Sequence, residues 1–305
     1  MTTGVVLMTY GAPRDASDVP AYLARVRSGR PASEELASEM ARRYRIIGGS
    51  PLVRITEGQA ASCERELGQL FRVRAAMRFS EPSIERVVGE LVADVDEVIG
   101  MVLSPQWSEL LMGGYRRALA DAVERSGRDT QWRLIETWYG EPLFHRLIAS
   151  ALREALAELE RPAILLTAHS IPRRVYDAEP EYVRQLRATA EAIAATAGLA
   201  EDQWTFAYQS AGHTQEEWLR PDLVELFPAI SASGRRSVLV VPIQFLADHL
   251  EVRYDLDVAA RAQAEAHGLR YHRIAMPNDR PKLAEALAAV VRRARAGAGM
   301  AATTP

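Results

Sequence analysis

The sequence predicts an α/β protein of two doubly wound lobes with parallel sheets and a cleft between them. Three observations predict it. Short, continuously apolar runs alternate with longer segments of helical periodicity. The strand–helix series occurs twice along the chain. The chemically unusual residues fall just after the apolar runs, where open α/β sheets place their ligands.

Gly4 to Tyr10 reads as a buried strand, broken by Gly11 and Pro13. Val98 to Leu103 is a second, ended by Ser104-Pro105, and Ala163 to Thr167 is a third. Thr205 to Tyr208 and Ser237 to Val241 complete the set. Strands that are apolar throughout are covered on both faces, which is the habit of parallel sheets. Between them the spacing predicts helices over Ser33 to Tyr44, Thr56 to Leu70, Ser108 to Ser126 and Pro142 to Leu159. Ser33 is placed as an N-cap, with Leu36, Met40 and Tyr44 spaced by four along one face. The second half adds Glu181 to Ala197, Glu251 to His267 and Arg280 to Ala296. The lobes divide near residues 137–145, giving a first lobe over residues 1–140 and a second over 141–305. The end of the chain, from Ala296 to Pro305, is expected to fray.

Composition narrows the classes. With 305 residues, 48% of them hydrophobic, the chain can bury a sizeable core, and two are expected. The net charge of −3 does not suit an overall basic nucleic-acid binder. Cys63 is the single cysteine, so no disulfide framework or cysteine-ligated cluster can form within one chain. A reducing, cytoplasmic setting is expected. The N-terminus lacks a basic segment and its apolar run is too short for a signal peptide. No run approaches the ~18 apolar residues of a membrane span.

Two places could carry chemistry. His169 directly follows a buried strand in Thr167-Ala168-His169-Ser170-Ile171-Pro172 and can present its imidazole to a cleft. It can equally be a histidine hydrogen-bonded at a turn. The segment Asp248 to Asp257 follows an apolar strand and Pro242. On a helix Glu251 and Asp255 share one face, and two successive carboxylates can hold or relay a divalent cation. The plain alternative is a solvated acidic helix start. HExxH, paired CxxC and EF-hand spacings are absent, as are GxGxxG and the P-loop, so a nucleotide enzyme is disfavoured.

Together these segments resemble the ferrochelatase family. The matching motifs appear in order: Leu7 to Pro13, Ile47 to Leu52 with Ile55-Thr56, Leu103 to Ser108, and Ala168 to Pro172. Tyr208-Gln209-Ser210, Trp218 to Pro221 and Asp248 to Glu251 follow. Ala275-Met276-Pro277-Asn278 resembles the bacterial soluble branch acting on coproporphyrin III. The resemblance implies two Rossmann-like lobes with a porphyrin between them, and insertion of ferrous iron in haem biosynthesis. It places the catalytic pair His169 and Glu251 over the macrocycle centre, with His169 accepting pyrrole protons or binding the metal. Asp255 would extend a carboxylate path for the metal, and Tyr10 would approach the opposite face of the ring. Arg27, Arg43, Tyr44, Ser50 and Tyr115 become the expected propionate partners.

Three positions depart from the family's pattern. The loop between Gly49 and Ser50 is one residue shorter than is common. Gln106 stands where a histidine is common, weakening any first-lobe metal contact. Ala259 replaces a third carboxylate one turn beyond Asp255, truncating the outer metal path. Ferrous iron is expected as a substrate, with no tightly bound cofactor and no iron–sulfur cluster. A cytoplasmic monomer is expected. The alternatives are a chelatase loading cobalt or nickel into a sirohydrochlorin-type ring, and a non-catalytic porphyrin- or haem-binding protein. Only six histidines occur, and of these only His169 and His249 lie in matched motifs, which disfavours the histidine-rich cobalt class.

Overall fold

A computed structural model describes residues 1–212 and 216–297. The fraying expected at the C-terminus falls mainly on residues 298–305, outside the described residues.

The apolar runs form the middle of two sheets. β1 (Thr3–Thr9) leads through α1 (Val19–Val26), α2 (Glu34–Ile46) and α3 (Leu52–Leu67) to β2 (Phe71–Met77). Next come α4 (Ile84–Leu91), β3 (Glu97–Val102), α5 (Glu109–Arg125) and β4 (Gln131–Ile135). After α6 (Pro142–Ala157) the series repeats with β5 (Ala163–His169), α7 (Arg173–Ala178), α8 (Pro180–Ala197) and β6 (Trp204–Gln209). Then follow α9 (Leu223–Ala232), β7 (Ser237–Pro242), a π-helix (Glu251–Ala260), α10 (Arg261–Ala266), β8 (Arg270–Arg273) and α11 (Pro281–Arg295).

Each sheet has four strands, and every pairing is parallel. The orders are β2-β1-β3-β4 and β6-β5-β7-β8, so the two lobes share one topology. In each, the chain starts centrally, steps to one edge, then crosses to the other side of its first strand. The crevice at that reversal, between β1 and β3 and between β5 and β7, opens at the strands' carboxyl ends. Ser33 does cap α2, its hydroxyl accepting from the Leu36 N–H at 3.3 Å.

Some expectations need correction. β2, β4 and β8 were absent from the strand expectations because they are edge strands. Phe71–Met77 alternates buried and exposed residues over its first half, with Arg72 and Arg74 outward. Half-covered strands lack the continuous apolar signature of central ones. α3 starts at Leu52 rather than Thr56. The segment beyond Glu251 is not one α-helix but a π-helix running into α10. The two expected cores are joined: the largest apolar cluster includes Val5 and Ile99 from the first sheet and Leu166 and Val241 from the second. Helices α6 and α11 make it continuous, because α11 packs on both α6 and α3. A smaller cluster, including Phe227, Val240 and Leu256, covers the other face of the second sheet.

The lobes also meet through polar contacts at the start of α5. Gln106 Nε2 donates to Thr189 Oγ1 at 2.9 Å, and the Trp107 N–H donates to Gln185 Oε1 at 2.9 Å. The Glu179 carboxylate accepts from the Ser108 hydroxyl and the Leu110 N–H, capping α5 from the second lobe. Gln106 is therefore fully buried in the lobe junction. Its side chain is a structural tie rather than a cleft group standing in for a metal ligand.

Candidate active site

The second sheet's reversal point gathers the chemistry. His169 is the last residue of β5, and the segment after β7 brings Gln244, His249 and Glu251 beside it. Gln244 Oε1 accepts the His169 backbone N–H at 2.8 Å, while its Nε2 donates to the Tyr182 hydroxyl at 2.6 Å. This fixes the end of β5 against the following segment.

The imidazole of His169 is a quarter exposed, at 25%. Its Nδ1 lies 2.5 Å from the Ser170 carbonyl oxygen. A carbonyl can only accept, so Nδ1 carries a proton and Nε2 is the nitrogen left to exchange one. That Nε2 stands 3.7 Å from Glu251 Oε2. His249 repeats the pattern: Nδ1 faces the Ala247 carbonyl at 2.9 Å, and Nε2 lies 3.5 Å from the same Oε2. Two imidazoles thus converge on one carboxylate oxygen. The edge of Phe245 lies against the His249 ring, with centroids 4.4 Å apart.

The electrostatics follow from this geometry. Burial pushes the Glu251 carboxyl up, but positive charge on His169 and the His249 hydrogen bond and charge bring it down to about 2. Burial lowers His249, yet its hydrogen bond to Glu251 and the Glu251 charge win, and its pKa is raised above the usual histidine value. Glu251 is ionised at neutral pH, and its charge favours the protonated form of His249. Asp255, one turn on, is pushed up by burial and by the Glu251 charge, against the Ser210 hydrogen bond and the Arg43 charge.

The first lobe supplies the facing wall. Tyr10 follows β1, is 45% exposed, and packs its ring against the edge of Phe79 at 4.6 Å. Its hydroxyl is pushed up to about 12 by burial and by the Glu251 charge, with Arg78 pulling the other way. Tyr10 therefore shares one electrostatic environment with the second-lobe carboxylate. Tyr22, Tyr44 and Tyr115 lie in the same wall and are also held protonated by burial.

The expected substrate contacts divide. Arg43 and Asp255 meet at 3.5 Å, and Arg43 also pairs with Glu39 at 2.8 Å and lies over the Tyr254 ring. Tyr44 is buried beside Val19, Leu23 and Tyr254. Ser50 accepts from the Leu52 N–H at 3.3 Å, closing the turn after Gly48 and Gly49, both at positive φ. Arg27 ends α1 exposed and without an ion pair among the described residues. Tyr115 is buried, with the Arg78 guanidinium over its ring at 5.2 Å.

Sequence reasoning overlooked two groups. His249 stood in a matched motif, but nothing local said that its Nε2 would meet Glu251. Arg78 belongs to no motif. Its guanidinium stacks on Phe79 at 4.7 Å as well as on Tyr115, and a side chain at Gly114 would collide with it. Among the described residues no carboxylate pairs with it. A paired glycine in an otherwise helical stretch, Gly113-Gly114, was the available signal.

Ala259 is partly buried and packs against the apolar cluster of Tyr44, Leu250 and Tyr254.

A family profile described as Ferrochelatase matches residues 2–295. A coproporphyrin III ferrochelatase from Geobacillus kaustophilus is 37% identical over 303 residues, covering 95% of each chain. A ferrochelatase from Herpetosiphon aurantiacus is 35% identical over 300 residues, covering 95% of this chain and 98% of its own. Among solved structures, SirB from Bacillus subtilis with ferric iron aligns with a TM-score of 0.60 at 11% identity, over 96% of this chain and 95% of its own. CbiX, a siroheme-biosynthesis enzyme of denitrifying bacteria, aligns with a TM-score of 0.55 at 17% identity, over 96% and 99%. These two likenesses are of fold.

Proposed function

The chain belongs to the ferrochelatase family, enzymes that insert a metal ion into a porphyrin, and on that premise we propose that it inserts ferrous iron into coproporphyrin III in haem biosynthesis. The observation that carries the reading is the convergence of His169 Nε2 and His249 Nε2 on Glu251 Oε2.

Insertion replaces two pyrrole N–H protons by one divalent ion, so two protons must leave the ring. With Nδ1–H committed to the Ser170 carbonyl, His169 offers a lone pair at Nε2 once that nitrogen has lost its proton. An imidazole in that state can take a pyrrole proton or touch the incoming ion. Glu251, ionised and flanked by two imidazoles, draws positive charge toward the same point, and Asp255 offers the next oxygen outward. Tyr10 stays a neutral phenol and faces the ring from the first lobe. Ferrous iron is a substrate in this scheme, and no resident cofactor takes part. The reaction is placed in the cytoplasm and is assigned to a monomer.

Coproporphyrin III carries four propionates and no vinyl groups. Its recognition calls for cations around the cleft, and Arg27 and Arg43 supply guanidiniums suited to bidentate carboxylate contacts. Tyr44, Ser50 and Tyr115 add hydroxyls, and Arg78 adds a cation with no carboxylate partner among the described residues. The identity to coproporphyrin III enzymes supports the same choice. Steady-state kinetics with coproporphyrin III and protoporphyrin IX test it. A higher kcat/KM for the former is expected, with affinity falling in an Arg27→Ala/Arg43→Ala double variant. A preference for protoporphyrin IX, or an unaffected double variant, would overturn the assignment.

A further inference from the structure

The segment that carries His249 and Glu251 has little regular structure of its own between Pro242 and Leu250. One residue beyond β8, Asn278, makes three of the hydrogen bonds that hold it. The Asn278 N–H donates to the Leu246 carbonyl at 2.8 Å. Its Oδ1 accepts the Asp248 N–H at 2.8 Å, and its Nδ2 donates to Asp248 Oδ2 at 3.1 Å. The backbone there is left-handed, with φ +50, a conformation asparagine tolerates better than most residues. Arg273 grips the segment from the other side, with Nη2 3.5 Å from Asp248 Oδ1 while Asp257 holds its guanidinium in two contacts.

Asn278 also reaches the first lobe. Its carbonyl accepts from Gln59 Nε2 on α3 at 2.9 Å. Beside it, a Cβ at Gly58 would come within 2.8 Å of the Asp279 carboxylate, so the bare glycine makes room for that side chain. Ala247 packs on Leu52 and Ile55 at the start of the same helix. That helix begins directly after the Gly48-Gly49-Ser50 turn.

We propose that Asn278 is a positioning residue for metal insertion, latching the His249–Glu251 segment to α3 and so setting the distance between the carboxylate and the porphyrin-binding lobe. This rests on the reading of His169, His249 and Glu251 as the insertion site. Asn278 does not touch substrate. It acts by fixing Asp248, the residue before His249. Removing such support from a reacting group typically costs about 10–100-fold in activity, and it should appear in kcat rather than in porphyrin binding.

The test compares Asn278→Gly, Asn278→Asp, Asp248→Asn and the Asp248→Asn/Asn278→Asp double variant with the parent and His169→Ala. Anaerobic turnover with ferrous iron and coproporphyrin III is measured, with porphyrin KM and thermal melts. Asn278→Gly keeps the left-handed backbone and loses only the side chain. Asn278→Asp sets two carboxylates against each other, and the double variant restores an amide–carboxylate pair. The latch predicts a fall in kcat of about tenfold or more in both single Asn278 variants, with KM within about twofold. It also predicts recovery of the double variant to within about threefold of Asp248→Asn. Unchanged kcat in Asn278→Gly, a rise in KM alone, or no recovery in the double variant would overturn it. So would unfolding of both single variants, since Asn278 would then support the fold generally. If His169→Ala turns over like the parent, the insertion site itself is misassigned and the latch falls with it. If His169→Ala is inert and Asn278→Gly is unimpaired, only the latch fails.

Discussion

Nδ1 of His169 is committed to a peptide carbonyl, and this leaves Nε2 to face Glu251 and the cleft. The same device orients His249, which the sequence marked only as part of a motif. Their common target explains why Glu251, not Asp255, is the strongly ionised group: burial opposes its charge, but two imidazoles outweigh burial. Its ionisation therefore adds stability above the ordinary carboxyl value, lost as pH falls through about 2. His249 works in the opposite sense. Its raised pKa adds stability that is complete below the ordinary histidine value and is lost as pH rises through the raised one. Replacing His249 by Asn removes a positive charge and a hydrogen bond, so the Glu251 carboxyl should titrate at higher pH. Carboxyl-carbon NMR reads this directly, and an unmoved midpoint would refute the coupling. Glu251→Gln should likewise lower turnover more than Asp255→Asn, because Asp255 already shares its charge with Arg43 at 3.5 Å. Equal, mild losses in a side-by-side rate assay would return the segment to a solvated acidic helix.

At the scale of elements, legibility followed burial. β1, β3, β5 and β7 are central, covered on both faces, and readable as continuous apolar runs. β6 is an edge strand, but its Thr205-Phe206-Ala207-Tyr208 run still showed. β2, β4 and β8 carry outward arginines, so nothing in their composition separates them from loops. The π-helix could not be anticipated, since its i→i+5 hydrogen bonds leave little trace in a short apolar pattern. That change of winding matters at Ala259, which lies against Tyr44 and Tyr254. Ala259→Glu should therefore lower stability by about 1–3 kcal/mol, read as a fall in melting temperature, rather than open a metal path. An unchanged melt together with an altered metal dependence would favour the outward path. α5 offers a second case: Gly114→Ala should displace Arg78 from the Tyr115 ring. A higher KM for coproporphyrin III is expected, with little change in the metal dependence. An unchanged KM would remove Arg78 from substrate recognition.

Across the whole molecule, two sheets of one topology place their reversal points at the ends of β1 and β5. Tyr10 follows the first and His169 ends the second. The placement of both was legible from strand ends alone, whereas the joining of the lobes was not. That joining depends on long-range pairs: Gln106 with Thr189, Glu179 with α5, and Gln59 with Asn278. No local pattern encodes such pairs. The shared seam holds the two lobes together, and Tyr10 of the first shares an electrostatic environment with Glu251 of the second. The most direct test mixes ferrous iron and coproporphyrin III anaerobically with the parent chain and with His169→Ala, following porphyrin binding and metal insertion in the same sample. The account predicts insertion by the parent, and in the variant retained porphyrin binding with insertion slowed by about 10²–10⁴-fold. A parent that binds the porphyrin without inserting iron, or a variant that inserts it at the parent's rate, would contradict the account.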